Sequence, residues 1–220
     1  MALPTAYEVV LLAAMLVTAG VTAYAWRRRT EPGGRFVLAY GAASVLWSGG
    51  ELAMSLSDPF LLKTVWLTLL FVGVIVSVLA WFFFVLVYTG RWTVVTPRNI
   101  ALFGAVPGVA VLLTLTNPLH GLMFDELFRI PTGAGLDIAP GAAFYLWAAY
   151  SALLLLGSVV LLLDGATRVP RFYRRQIGLL VVGAVAPPLG SAFRQLGLSA
   201  VDLTPVGLVV SGVALSVAIS

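Results

Sequence analysis

Residues 61–88 read LLKTVWLTLLFVGVIVSVLAWFFFVLVY, a run in which Lys63 is the sole charge. At the helical rise of about 1.5 Å per residue the run reaches about 42 Å, more than the roughly 30 Å of hydrocarbon in a bilayer. It is long enough to cross at a tilt. Its apolar residues do not alternate with polar ones, and it is at least twice as long as a tilted membrane strand, so a barrel strand is excluded.

The rest of the chain fits this one segment. Of 220 residues 60% are hydrophobic and 10% are charged, against roughly 25% charged in soluble domains. Nine acidic side chains cannot cover a water-exposed surface of this size, whereas lipid-facing positions need no such cover. Apolar stretches of membrane-spanning length occur seven times: 7–26, 36–56, 61–88, 100–116, 142–163, 177–197 and 203–220. The expected fold is an all-α membrane protein, a seven-transmembrane helix bundle that forms one domain over residues 1–220.

Lysine and arginine counts orient the bundle. Arg27, Arg28, Arg29, Arg35, Arg91, Arg98, Arg168, Arg171, Arg174 and Arg175 fall in loops on one side, ten of the thirteen basic residues; Lys63, Arg129 and Arg194 fall on the other. The first side is expected to be cytoplasmic, with the N-terminus outside and the last span running inward. This topology accounts for the net charge of +4 without a nucleic-acid partner, and the arginine runs suit anionic lipid headgroups. The first span is preceded by no cation and followed by Arg27–Arg29, so it reads as a retained helix and not as a cleaved signal peptide. The plasma membrane is the expected location. The last span ends in Val217-Ala218-Ile219-Ser220 without a basic stop, which suggests that a cytoplasmic portion follows residue 220.

With no cysteine and one histidine, disulfides, thiolate chemistry and multi-histidine metal centres are excluded by count. No cofactor or metal is expected, and no nucleotide-binding glycine motif is present.

Ionisable groups within a span cost roughly 2.5–3.5 kcal/mol at the bilayer centre, so each requires an explanation. Ser44, Ser48, Glu51 and Ser55 recur at helical spacing on the second span, which gives it one polar face to turn inward. Glu51 is the main candidate, about five residues from the outer end. Arg194 stands at a similar depth on the sixth span, above the Pro187-Pro188 pair, which is expected to open the backbone. Asp202 precedes Thr204 and Pro205 at the mouth of the seventh span, and Asn117 and His120 follow the fourth. Trp47, one turn before Glu51, completes a candidate ligand-binding group in the outer third: Trp47, Glu51, Asn117, His120, Arg194 and Asp202. A purely structural account stays open beside it, in which Glu51 and Arg194 neutralise each other, Asp202 caps its helix, His120 is a loop residue, and Trp66, Trp92 and Trp147 serve packing or the membrane interface. The connection 117–141 suits a small lid or a short hairpin. Gly104 and Gly108 on the fourth span mark close helix packing.

Four short motifs occur in order: Phe84-Val85-Leu86-Val87-Tyr88-Thr89-Gly90-Arg91, Thr116-Asn117-Pro118-Leu119-His120-Gly121-Leu122, Tyr173-Arg174-Arg175-Gln176, and Asp202-Leu203-Thr204-Pro205. With Trp47 on the second span and the prolines of the sixth, the chain resembles the N-terminal seven-transmembrane sensor region of histidine kinases over nearly its whole length. The resemblance implies a non-catalytic input module whose seventh helix leads into a cytoplasmic kinase or other output domain, working as a homodimer within the lipid bilayer. It names no small-molecule or ion stimulus. The alternative is a small proton- or ion-coupled membrane transporter, with Glu51 as the proton carrier; against it stand the lack of a second broken span and of a polar stripe through the inner half. A retinal protein is excluded, since the seventh span holds no lysine.

Overall fold

The computed structural model describes residues 6–129, 136–195 and 202–219, with the side chains of Phe128, Arg129, Asp137, Arg171, Phe172, Tyr173, Arg194 and Gln195 outside that description. Seven α-helices follow one another: α1 (Ala6–Arg27), α2 (Gly34–Leu56), α3 (Phe60–Tyr88), α4 (Pro97–Leu115), α5 (Ala142–Arg168), α6 (Arg171–Gln195) and α7 (Thr204–Ala218). Between α4 and α5 lies an antiparallel hairpin of β1 (Phe124–Arg129) and β2 (Leu136–Pro140), with Phe124 opposite Pro140 and Arg129 opposite Leu136. A hairpin was one of the two forms expected of this connection.

Five helices, α1, α3, α4, α5 and α6, are long and apolar enough by themselves to cross a membrane. α7 is apolar but covers fewer residues, and α2 is long enough but rich in glycine and serine. The packing accounts for α2. It lies between α1 and α3 and also touches α7, so its surface is set against protein more than lipid. Small residues permit the approach: a Cβ on Gly73 of α3 would stand 2.6 Å from the Ala43 carbonyl oxygen of α2. Ser44, Ser48 and Glu51 are buried. The inward polar face expected of this span is therefore observed, and it faces packed helices. Ser44 Oγ donates to the Tyr40 carbonyl and Ser48 Oγ to the Ser44 carbonyl, which satisfies both hydroxyls within the helix.

The main core joins α2, α3, α5, α6 and α7 through Tyr40, Trp81, Phe84, Leu162, Leu180 and Leu208. A second cluster, Met54, Leu67, Met123, Phe124 and Leu136, packs the hairpin onto the ends of α2 and α3. Apolar side chains on the outward faces of α1, α4, α5 and α6, such as Leu16, Leu102, Leu153 and Val182, remain exposed. That is the surface a bilayer would cover.

Two sequence expectations are corrected here. Gly104 of α4 meets only Leu79 at 3.7 Å, and nothing lies within 4 Å of a Cβ placed on Gly108, so this pair does not bring α4 close to another helix of the chain. Besides the α2–α3 contact at Gly73, close glycine contacts lie between α6 and the start of α7, where a Cβ on Gly207 would stand 2.6 Å from Pro187 Cα and one on Gly190 would stand 2.5 Å from the Leu203 carbonyl carbon. The Pro187-Pro188 pair also leaves α6 helical from Arg171 to Gln195. The carbonyl of Gly183, four residues before Pro187 and deprived of its usual N–H partner, receives the Ser211 hydroxyl of α7 at 2.6 Å. Hydroxyl groups also occur inside the half of the bundle nearer the arginines, where no polar stripe was expected: Tyr40 is buried and interacts with the side chains of Ser44 and Ser211. A period-based reading finds polar faces on single helices. It cannot find a cluster that is completed by a hydroxyl from a second helix, as Ser211 of α7 completes that of Tyr40 and Ser44 on α2.

Candidate functional site

Three of the four sequence motifs are places where the backbone must turn. Thr89 ends α3 and Gly90 follows in the left-handed conformation with φ 78°. The Gly90 N–H bonds the Val87 carbonyl and the Arg91 N–H bonds the Leu86 carbonyl, the paired closure of a glycine-terminated helix. The turn aims Arg91 at α5, where its guanidinium meets Asp164 at 2.5 Å; Arg168, one turn on, meets the same carboxylate at 2.9 Å. Tyr88 donates to Gln176 Oε1 at 3.2 Å, so the first and third motifs join α3 to α6. Arg28 adds a long contact to the Ile219 carbonyl at 3.5 Å. The arginine-rich ends of α1, α3, α5 and α6 and the last turn of α7 thus gather at one end of the bundle.

Asp164 is half-exposed, so its ion pairs are open to solvent screening. Replacing Asp164 with Asn is expected to lower the unfolding midpoint in detergent at about 0.1 M salt, with the difference from the parent shrinking toward zero near 1 M. Thermal melts across a salt series check this.

The opposite end holds Glu51, Asn117, His120 and Asp202 of the predicted group. Asn117 sits in a 3-10 turn, Asn117–Leu119, that Pro118 opens and Gly121 leaves at φ 64°. This reversal lets the Asn117 side chain bond three backbone groups: Oδ1 accepts the N–H groups of Met123 and Phe124, each at 2.9 Å, and Nδ2 donates to the Phe124 carbonyl at 2.9 Å. His120 is exposed; its Nε2 lies 3.0 Å from the Thr116 hydroxyl, and its Nδ1 accepts the Leu122 N–H at 3.0 Å. Asp202 accepts from the Thr204 N–H at 2.8 Å and from the Thr204 hydroxyl, which closes the mouth of α7. Among the described residues, the hydrogen-bond partners of Asn117, His120 and Asp202 lie within seven residues of them in the chain.

Glu51 reaches farther. It is 8% exposed, and the phenol of Tyr7 on α1 donates to its Oε1. Trp47 is half-buried and touches both the main core and the cluster around Leu70 and Trp147. Trp147 is buried in that second cluster and Trp92 is exposed at the arginine end, in line with packing for one and an interface position for the other. The Arg194 side chain lies outside the described residues, as does any pairing of it with Glu51. The contact of Gly190 with Leu203 and Thr204 places Asp202 beside the last turns of α6, the segment that carries Arg194.

Two residues of this end were not anticipated in these roles. Lys63 is buried, and its Nζ donates to the Met54 carbonyl at 3.1 Å; a lone lysine in an apolar run was the available signal, but its burial depends on tertiary packing. Tyr7, the first residue of the expected first span, gave no signal for a carboxylate 44 residues away.

Residues 10–220 match the model of a family described as the N-terminal 7TM region of histidine kinase. The chain belongs to this family. As an N-terminal seven-transmembrane region of a histidine kinase it is a multi-pass membrane protein and a sensory input module, not a catalytic domain. No match was found among curated proteins.

Proposed function

We propose that this seven-transmembrane region detects a stimulus at the end opposite the arginines and passes it through α7 to a kinase or other output domain on the cytoplasmic side. The arginine bias supports an outside location for that end, with α7 pointing inward. One observation carries the reading: Glu51, a carboxylate buried near the outer end of α2, is held by the Tyr7 phenol of a different helix. A carboxylate among apolar spans persists where it is paired or used, and Glu51 lies on the helix that packs against α1, α3 and α7. Arg194 is the proposed counter-charge, with Trp47, Asn117, His120 and Asp202 around it. The stimulus is a small molecule or ion that binds two arrangements of the helices unequally, a difference of a few kcal/mol being sufficient. The working unit is a homodimer in the bilayer.

The test is kinase output from the full-length protein in liposomes under a panel of candidate stimuli. Glu51→Gln and Tyr7→Phe are each expected to reduce the response about tenfold or more while basal output persists. An unchanged response in both variants removes the outer carboxylate from sensing.

A further inference from the structure

The contact between α6 and α7 holds a hydroxyl with two acceptors for one proton. Ser211 Oγ lies 2.6 Å from the Gly183 carbonyl of α6 and 2.9 Å from the Gly207 carbonyl of its own helix. A serine hydroxyl carries a single donor, so it satisfies one of these carbonyls fully at a time. Neither acceptor is arbitrary. Gly183 is the residue whose carbonyl Pro187 leaves without an amide partner. Gly207, four residues before Ser211, packs closely against Pro187, a Cβ there standing 2.6 Å from both Pro187 N and Pro187 Cα.

We propose that Ser211 is a latch between α6 and α7, closed when its proton serves Gly183 across the helix pair and open when it serves Gly207 within α7. In the closed position the hydroxyl replaces the hydrogen bond that Pro187 removes, and α7 is tied to α6. If α7 slides or turns, the proton is not stranded in the apolar interior, because Gly207 takes it in the ordinary backbone-bonded geometry of a helical serine. Only the Gly183 carbonyl loses a partner. That makes the movement far less costly than exposing both a donor and an acceptor to a water-free interior. The Tyr40 side chain of α2 interacts with Ser211, so the state of the latch is felt by the helix that carries Glu51. Packing holds the two positions apart: Trp81 of α3 stands against Gly183, where an added Cβ would meet its ring at 3.0 Å. Packed contacts of this kind favour discrete arrangements over continuous drift. This inference goes beyond the sensory reading: it concerns the joint alone, and its failure leaves the outer carboxylate as a candidate stimulus site.

The test uses the full chain in lipid nanodiscs. The sequence has no cysteine, so spin labels at Val213→Cys on α7 and Leu156→Cys on α5, both exposed positions, report α7 against a helix separated from it by α6. The labelled parent is expected to show one dominant distance. Ser211→Ala is expected to raise the ratio of a second population about tenfold, the size of effect of one buried hydrogen bond. Pro187→Ala returns an amide N–H to Gly183 wherever α7 sits, so Ser211→Ala made in the Pro187→Ala background is expected to cause no further shift. An unchanged distribution in Ser211→Ala, or the same shift in both backgrounds, overturns the latch. If Ser211→Ala fails to assemble, assembly of the double variant supports the proposal and its failure as well overturns it.

Discussion

Replacing Gly207 with Val is expected to separate α7 from α6 and to give one of the two largest losses of stability among the substitutions proposed for this chain. The existing contact leaves no room: the nearest atoms to a new Cβ are backbone atoms of Ala186 and Pro187, at 2.6–2.7 Å, and backbone cannot move aside as a flexible side chain can. Overpacking in a well-filled interior costs about 1–3 kcal/mol, and more where only backbone can give. A β-branched side chain brings further atoms to the same place. The expected cost is therefore at the top of that range, about 3 kcal/mol, with loss of the Ser211 to Gly183 bond as a consequence. Unfolding midpoints in nanodiscs measure the cost, and the spin-label pair on α5 and α7 reports the separation. Gly108→Val serves as the control. Nothing lies within 4 Å of a Cβ at that position, so its effect should stay near the propensity difference between glycine and valine, a few tenths of a kcal/mol. Equal losses in the two variants would show that the α6–α7 contact is not as tight as described.

The second large effect is expected from Asn117→Ala. The Asn117 amide serves two N–H groups and one carbonyl, and a residue with no side-chain polar atoms leaves all three to find water or go unpaired. Each part-buried group left unpaired costs about 1–3 kcal/mol, less where water enters, so a total of about 3 kcal/mol is expected. The loss should be local. β1 and its partner β2 should loosen from Met54 and Leu67, while the seven helices stay assembled. Amide hydrogen exchange reports this as loss of protection at Met123 and Phe124 with protection of α3 retained. Asn117→Asp keeps the acceptor for the two N–H groups and loses only the donor, so its effect should be intermediate. If Asn117→Ala leaves hairpin exchange unchanged, the side chain is free for another role, and a place in a stimulus site gains weight.

The same residue shows how the sequence is best read. Asn117 and Asp202 stood out because they are polar and sit at the mouths of apolar spans, and the structure engages both with nearby backbone. Gly90, Gly121 and Pro118 belong to the same motifs and set turns. Residues that shape a turn and residues that hold a ligand produce the same pattern in one sequence, because both are polar or conformationally special groups at helix ends. Glu51 differs. Its partner Tyr7 lies on another helix, and no helical or strand period links positions 44 residues apart.

Span number, the inward polar face of α2 and the grouping of the arginines were legible because each follows from local rules: hydrocarbon thickness, the 3.6-residue period and the charge bias of short loops. What joins one helix to another was not. The sequence pointed to Gly104 and Gly108 as the close contact, yet the structure gives that role to Gly207 against Pro187 and Gly190 against Leu203. It also pairs the Gly183 carbonyl, which Pro187 leaves without an amide, with the hydroxyl of Ser211, 28 residues away from Gly183. A bilayer dictates that each span be helical and largely apolar, so composition alone determines the spans. Because lipid is as apolar as the helix surfaces, the hydrophobic effect does not choose among neighbours. That choice rests on close packing and a few hydrogen bonds, which exist only once the helices are together.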